Sequence, residues 1–410
     1  MLSLARKLRR LPLAVSHTQK STYVDVKMKW KKDHFFDSIS ILTKSRDLQP
    51  LISLKNIIIS QSPENGIPIS TVSKRARELE TSGRVAAFLR RYPAVFEEFT
   101  GPKYNLPWFK LTQEALDLDR EERAVYEAYR PEMIDRLRRL ILMSKEKVLP
   151  TRVVKGMLWY LGLPEDFLRD PEETSKDGCF ELVDVGDGER GLSVIANGDE
   201  QVLSVLQREA IKQLGGVEIV SIPLFPSKGL RLKKKIEHWL GAFQRLPYVS
   251  PFEDFSHLDP NSDVSEKRVV CVLHELLSLF VDNSAERRRL LCLREHLGLP
   301  QKFHKVFDRH PHVFYLLLKS KTCFVVLKEA YCAGPNTELK KHPMLEVRKK
   351  YAKLMNKSEA ILRSRRSRRP LEEVGEQSRD RGDVRSDAGG DEQVKAALAM
   401  KSACKLNRSY

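Results

Sequence analysis

Residues 290–331 read LLCLREHLGLPQKFHKVFDRHPHVFYLLLKSKTCFVVLKEAY. Apolar residues recur at helical spacing as far as Leu297, and the LGLP step at 297–300 breaks that helix. A second short apolar helix follows. It stops at His310-Pro311, because proline disfavours the α conformation in the residue before it. Two β-rich runs, VFYLLL (313–318) and TCFVVL (322–327), lie either side of a short polar turn and predict a hairpin.

The same order of signals occurs twice earlier. Ile67–Phe99 reads IPISTVSKRARELETSGRVAAFLRRYPAVFEEF: two short helices split at Ser82-Gly83, a stop at Tyr92-Pro93, then strands at 95–99 and 108–112. Leu149–Phe167, LPTRVVKGMLWYLGLPEDF, begins like IPISTVSK and ends like LGLPQKF. After Asp170-Pro171, it is followed by strands at 180–186 and 191–196. RYPAVF (91–96) and RHPHVF (309–314) agree best. The insertions between copies are unequal, which excludes a regular solenoid. The predicted class is α+β and mostly helical, with about three irregular helix–β-hairpin units packed into one elongated body. Convergent patterning is the alternative, since proline and strands also co-occur by ordinary chain punctuation.

Further helices are predicted around the units. Phe35–Ser60 holds two apolar helical patterns, and Thr112–Met143 holds a charged helix broken at Pro131. Another helix is expected over Asn197–Lys212, and one running to Phe280 would be capped by Asp263 or Ser265.

Composition narrows the partners. The chain has 410 residues, is 41% hydrophobic and carries a formal charge of +17. Its mean hydropathy is −0.40 and its pI about 9.5. No apolar run approaches the ~18 residues of a membrane span, and the charge favours nucleic acid or an anionic surface as partner. That charge is uneven. Nine Lys/Arg against Asp25 fall in residues 1–32, and twelve against Glu346 and Glu359 in 340–369, which leaves 33–339 near neutral. A basic surface on the body must therefore come from local clustering.

The first residues, MLSLARKLRRLPLAVSHTQKSTY, place Leu4, Leu8 and Leu11 on one helical face and hold no acid before Asp25. This is the amphipathic, arginine-rich composition of an organelle transit peptide, assigned to 1–27, with the mitochondrion expected and the chloroplast as alternative. The body is assigned to 28–345. A basic helix and then a disordered tail are assigned to 346–410, where the composition turns Gly-, Ser-, Asp- and Arg-rich.

Candidate RNA contacts follow from basic and aromatic clustering alone. In KMKWKKD, Trp30 among Lys29, Lys31 and Lys32 suits base stacking beside phosphates, or a junction with Trp30 tucked on the body. Lys74, Arg75, Arg90 and Arg91 lie on the helices of the first unit. Lys228, Arg231, Lys233, Lys234 and Lys235 form the densest basic cluster of the body, equally readable as a solvated helix face.

Catalytic signatures are missing from the sequence: no Walker loop, GxGxxG, GxSxG or HExxH occurs. The six cysteines form no CxxC pair and are expected as buried free thiols of a reducing compartment. His310, His312, Cys323 and Cys332 match no zinc spacing. The expectation is a non-enzyme without metal or cofactor.

Several segments resemble the plant organelle RNA recognition (PORR) family, of the "what's this factor" type. They are KWKKDHFFD, RYPAVFEEF, LGLP with Phe167, GLRLKKKIEHW, LPYVSPFED, HELLSLF, LPQKFHKVFDRHPHVFYLLLK and VVLKEAY, spanning roughly Lys29–Tyr351. The third unit of the family usually has Gly after RHP, where this chain has His312. The resemblance implies a non-catalytic organellar RNA-binding protein that promotes group II intron splicing, with intron RNA and other splicing factors as partners and no membrane. A helical-repeat protein–protein scaffold in an organellar RNA-processing complex is the alternative.

Overall fold

The computed structural model describes residues 32–61, 66–74, 79, 81, 84–101, 106–168, 178–186, 188–195, 202–214, 220–227, 234–319, 322–334 and 337–367. The chain divides into a unit spanning Met1–Leu362 and a second spanning Arg363–Tyr410.

The two apolar patterns near the start become α1 (His34–Ser38), capped by the Asp33 carboxylate on the Phe35 amide, and α2 (Ser40–Gln61). Helix α2 runs unbroken through Pro50, and most of its residues from Leu48 to Ile58 are buried. Tertiary burial overrides the breaker here, although an internal proline costs about 3 kcal/mol.

Each unit is then built alike. A short strand leads into a helix, a hairpin follows, and the short strand pairs with the second hairpin strand. In the first unit these are β1 (Ile67–Pro68), α3 (Ile69–Lys74), α4 (Val85–Arg91), β2 (Phe96–Thr100) and β3 (Pro107–Leu111). Helices α5 (Gln113–Ala128) and α6 (Arg130–Leu142) follow, parted at Tyr129 with Pro131 in the first turn of α6 as expected. The second unit has β4 (Val148–Pro150), α7 (Thr151–Leu161), β5 (Phe180–Gly186) and β6 (Glu189–Val194), then α8 (Val205–Leu214) and α9 (Lys234–Gln244). Helix α10 (Asp263–Leu279) precedes the third unit: β7 (Ser284–Glu286), α11 (Arg287–Cys292), α12 (Lys305–Arg309), β8 (Phe314–Lys319) and β9 (Thr322–Leu327). Helices α13 (Glu329–Cys332) and α14 (Pro343–Ser367) close the order.

The three antiparallel sheets have orders β1-β3-β2, β4-β6-β5 and β7-β9-β8. The hairpins agree with the sequence to within two residues. The short third strands were not foreseen, because two or three residues leave no alternation to read.

Repetition extends to single hydrogen bonds. Tyr92 ends α4 at φ −119°, ψ 62°, and His310 ends α12 at φ −118°, ψ 59°. The Tyr92 carbonyl accepts from the Val95 and Phe96 amides, and the His310 carbonyl from those of Val313 and Phe314. The next contact repeats too: the Thr112 amide donates to Val95, and the Lys328 amide to Val313, each at 3.0 Å. The LGLP steps match between the second and third units. Gly162 (φ 84°), the cap of α7, and Gly298 (φ 59°) both take the left-handed conformation, and the Leu163 and Leu299 amides reach back to Leu158 and Arg294, although α11 ends at Cys292, short of Leu297, and turns fill 293–298.

Helix α10 is buried from Lys267 to Leu279, and several of its polar groups are met inside. Ser262, rather than the expected Asp263 or Ser265, caps it by accepting from the Ser265 amide. Lys267 Nζ donates to the carbonyls of Val220, Gln244 and Leu246 at 2.8–3.1 Å. His274 pairs with Glu329 at 2.6 Å, and Glu275 accepts from Arg139 and from the Val205 amide. These bonds are what allow charged side chains to sit in the interior. Helix α14 is likewise more than a basic surface helix, since Met344, Leu345, Val347, Tyr351, Leu354 and Met355 are buried.

The cysteine expectation needs correction. Among the described residues all are free thiols, but only Cys271 is buried, while Cys292 and Cys332 are exposed. Both exposed cysteines end short helices whose other faces are packed, so an apolar helical context did not determine which way they face.

Candidate nucleic-acid interface

A cleft of about 830 Å³ opens between α2, the second unit and the third unit. Helix α2 contributes Arg46, Gln49, Pro50 and Ser53 to its wall. Helix α7 contributes Lys155, Gly156, Trp159 and Tyr160. The third unit contributes Ser284 and Glu286 from β7, Arg287, Arg288, Arg289 and Leu291 from α11, and Cys323 and Phe324 from β9.

The register of the units explains the convergence. In each, the helix starts one residue after the short strand, at Ile69, Thr151 or Arg287. The residue three further on, Val72, Val154 or Leu290, is buried at 0–1% exposure and anchors the helix. In the first two units the residues before it include Ile69 and Val153, which pack partly against the core, whereas in the third they are three consecutive arginines, with Arg287 and Arg288 exposed and Arg289 half-buried. Local helix physics disfavours them there: a helix N-terminus prefers acids by about 0.3–1 kcal/mol per charge, yet the first turn of α11 holds none.

Five Lys/Arg line the cleft against three carboxylates, Glu165, Asp282 and Glu286. Asp282 is already engaged by the buried Arg348 of α14 at 3.0 Å. The Arg348 guanidinium also donates to the Trp159 carbonyl at 2.5 Å and lies 3.8 Å from the centre of the Trp159 ring. One buried cation thus ties the second unit to the third and braces an aromatic side chain of the cleft. Glu165 accepts from the Ser53 hydroxyl. Beneath α2, buried Lys55 bridges Asp119 and Glu122, and Tyr351 donates to Glu122 at 3.1 Å. Burial raises the Cys323 thiol above its ordinary pKa, so it sits in the cleft as a neutral group.

None of the described sequence candidates lines this cleft. Lys32 is exposed, 3.6 Å from Asp37. Arg90 forms a two-pronged pair with Glu98 that raises the guanidinium pKa and lowers that of the carboxylate. Arg91 bonds Asp47 at 3.2 Å, and the Tyr92 hydroxyl bonds the same carboxylate at 2.8 Å. The third unit repeats that clamp, with Arg309 on Glu266 at 3.0 Å and His310 on Glu266 at 3.2 Å. Arg91 therefore belongs to a corner that the fold uses twice. Lys234 and Lys235 are exposed at the start of α9. Lys74 ends α3, but its side chain, like Lys29, Trp30, Lys31, Arg75, Lys228, Arg231 and Lys233, lies outside the described residues.

Sequence reasoning missed Arg46, Lys155, Trp159 and the run Arg287–Arg289 as a group, because they are scattered over three helices far apart in the chain. The available signal was the arginine triplet opening a helix against its dipole. Among the described residues, no group of three His, Cys, Asp or Glu is arranged to hold a metal ion.

Three irregular helix–hairpin units and an arginine-rich cleft make this an α+β protein with a basic concave surface. The chain belongs to the plant organelle RNA recognition family, whose domain model matches residues 31–360. It is 54% identical over 371 residues to Protein WHAT'S THIS FACTOR 9, mitochondrial, of Arabidopsis thaliana, covering 90% of this chain and 95% of that one. It is 29% identical to Protein ROOT PRIMORDIUM DEFECTIVE 1 of the same plant, covering 80% and 83% of the two chains. Identity is also 29% to a chloroplastic WHAT'S THIS FACTOR 1 homolog of that plant, over 80% of this chain and 63% of the relative. No solved structure matches.

Proposed function

We propose that this protein binds intron RNA in the mitochondrion and promotes group II intron splicing without catalysing a chemical step itself. The cleft between the units is the RNA seat, with Arg46, Lys155 and Arg287–Arg289 holding phosphates. The observation that carries this proposal is the gathering of five cations from α2, α7 and α11 at one concave place, on a body whose overall charge is near neutral. Family membership supports RNA as the polyanion. The mitochondrial relative and the arginine-rich N-terminal segment support the compartment, with the plastid as alternative.

Bound phosphates release counterions, so affinity falls with salt. Five contacts on a single strand give a slope of about −3.5 in log K against log salt, at about 0.7 per contact. Filter binding of a mitochondrial group II intron transcript across a salt series measures it. A slope near zero refutes phosphate binding in the cleft. Recovery of partner proteins but no crosslinked RNA from purified mitochondria favours a scaffold role instead.

A further inference from the structure

The floor of the cleft has a feature that phosphate binding does not need. Gly156 lies mid-helix in α7 and lines the cleft. It is not among the glycines with positive φ, and a Cβ built on it meets nothing within 4 Å. Neither backbone conformation nor packing therefore calls for glycine, although glycine disfavours a helix interior relative to alanine. Trp159 stands one turn on, at i+3, so the two share a helix face. The ring of Trp159 is partly buried and held against the Arg348 guanidinium, which fixes the indole before any ligand arrives. A bare stretch of helix beside a braced aromatic, rimmed by arginines, is what a flat base with a phosphate attached requires.

On the basis of the proposed RNA seat in this cleft, we infer that Gly156 and Trp159 form a nucleotide seat. An unpaired base slides over Gly156 and stacks on Trp159, while Lys155 and Arg287 take the flanking phosphates. The ligand class is single-stranded RNA. Base faces are available for stacking only when unpaired, whereas a duplex hides them and is recognised by shape. The cleft volume of about 830 Å³ falls within the ~300–1,000 Å³ of pockets that enclose small ligands, enough for a few nucleotides and too little for a helix.

The test uses the full chain, an unstructured 12-nucleotide RNA and the same RNA annealed to its complement, read by fluorescence anisotropy. The single strand binds at least tenfold tighter than the duplex. Gly156→Leu, which projects into open space, leaves the melting temperature within a few degrees and weakens single-strand binding at least tenfold. Trp159→Leu weakens it about 5- to 150-fold, the span of one lost base stack. Equal affinity for duplex and single strand, or wild-type binding by a folded Gly156→Leu variant, overturns the nucleotide seat. The arm that separates the two proposals is the variant R287E/R288E. If it loses binding while Gly156→Leu does not, phosphate binding in the cleft stands and the seat falls. If R287E/R288E binds like wild type, the RNA seat itself is elsewhere and both fall.

Discussion

The first and third units share a backbone and differ in what they display. Both end a short helix at the same dihedral angles, and both clamp that corner through an arginine and a ring residue on one acid of the preceding helix, Asp47 or Glu266. At the start of the helix that follows the short strand, the first unit has Ile69-Ser70-Thr71 and the third has Arg287-Arg288-Arg289. Residues that repeat between the units build the corner and the core. The arginines do not repeat, and they are gathered at the cleft beside strand residues of the repeated sheet such as Ser284, Glu286 and Phe324.

Replacing Arg287-Arg288-Arg289 by Ile-Ser-Thr gives the third unit the surface of the first, and the comparison predicts its largest effect there. Affinity for intron RNA falls at least ~100-fold, since phosphate contacts dominate binding. The denaturation midpoint holds or rises, because cations leave a helix N-terminus. Equilibrium titration beside a chemical denaturation curve reports both.

His312 marks a second difference, standing where the first unit has Ala94. It is 1% exposed, and neither ring nitrogen has a hydrogen-bond partner among the described residues. Burial, with His310 and Lys328 nearby, pushes its pKa down from 6.5 to about 4. His342 is likewise pushed down to about 4, first by burial and then by Arg136. A folded-state pKa below the unfolded value means that the unfolded chain takes up protons which the folded chain refuses. Stability is therefore full above pH 6.5 and declines as pH falls from there towards 4, by at most about 1.4 kcal/mol per pH unit for each histidine. His312→Ala reduces that slope in denaturant titrations between pH 7 and 5, leaving the shares of His342 and of His304, whose pKa burial also lowers. An unchanged slope assigns the acid sensitivity elsewhere.

Arg91→Ser is the smallest change, because Arg91 belongs to the repeated corner. RNA affinity shifts by less than ~2-fold, and stability by about 1 kcal/mol or less for a partly exposed ion pair. A loss as large as that of the arginine triplet would move the binding surface to the first unit.

The comparison also shows what the sequence made legible. Helix–proline–hairpin order came through because periods of 3.6 and 2 and the proline stops are local signals. The RYPAVF and RHPHVF match carried a real equivalence down to single hydrogen bonds. The short third strands were illegible: Ile67-Pro68 and Leu149-Pro150 offered a recurring dipeptide, and Ser284–Glu286 lacked even that. The cleft was illegible for a different reason. Density of charge along the chain pointed to the lysines around 228–235, whereas the cleft draws single cations, Arg46 and Lys155, from helices more than a hundred residues apart and joins them to the α11 triplet. Arg91 shows the converse, a charge in a basic run that the fold spends on its own corner.

Ultraviolet crosslinking of bound intron RNA to the full chain, followed by mass spectrometry of the nucleotide-bearing peptides, tests the central claim most directly. Crosslinks are expected on peptides carrying Lys155–Tyr160 and Arg287–Leu291. Crosslinks confined to Arg90–Arg91 or Lys234–Lys235, with none on those peptides, would contradict it.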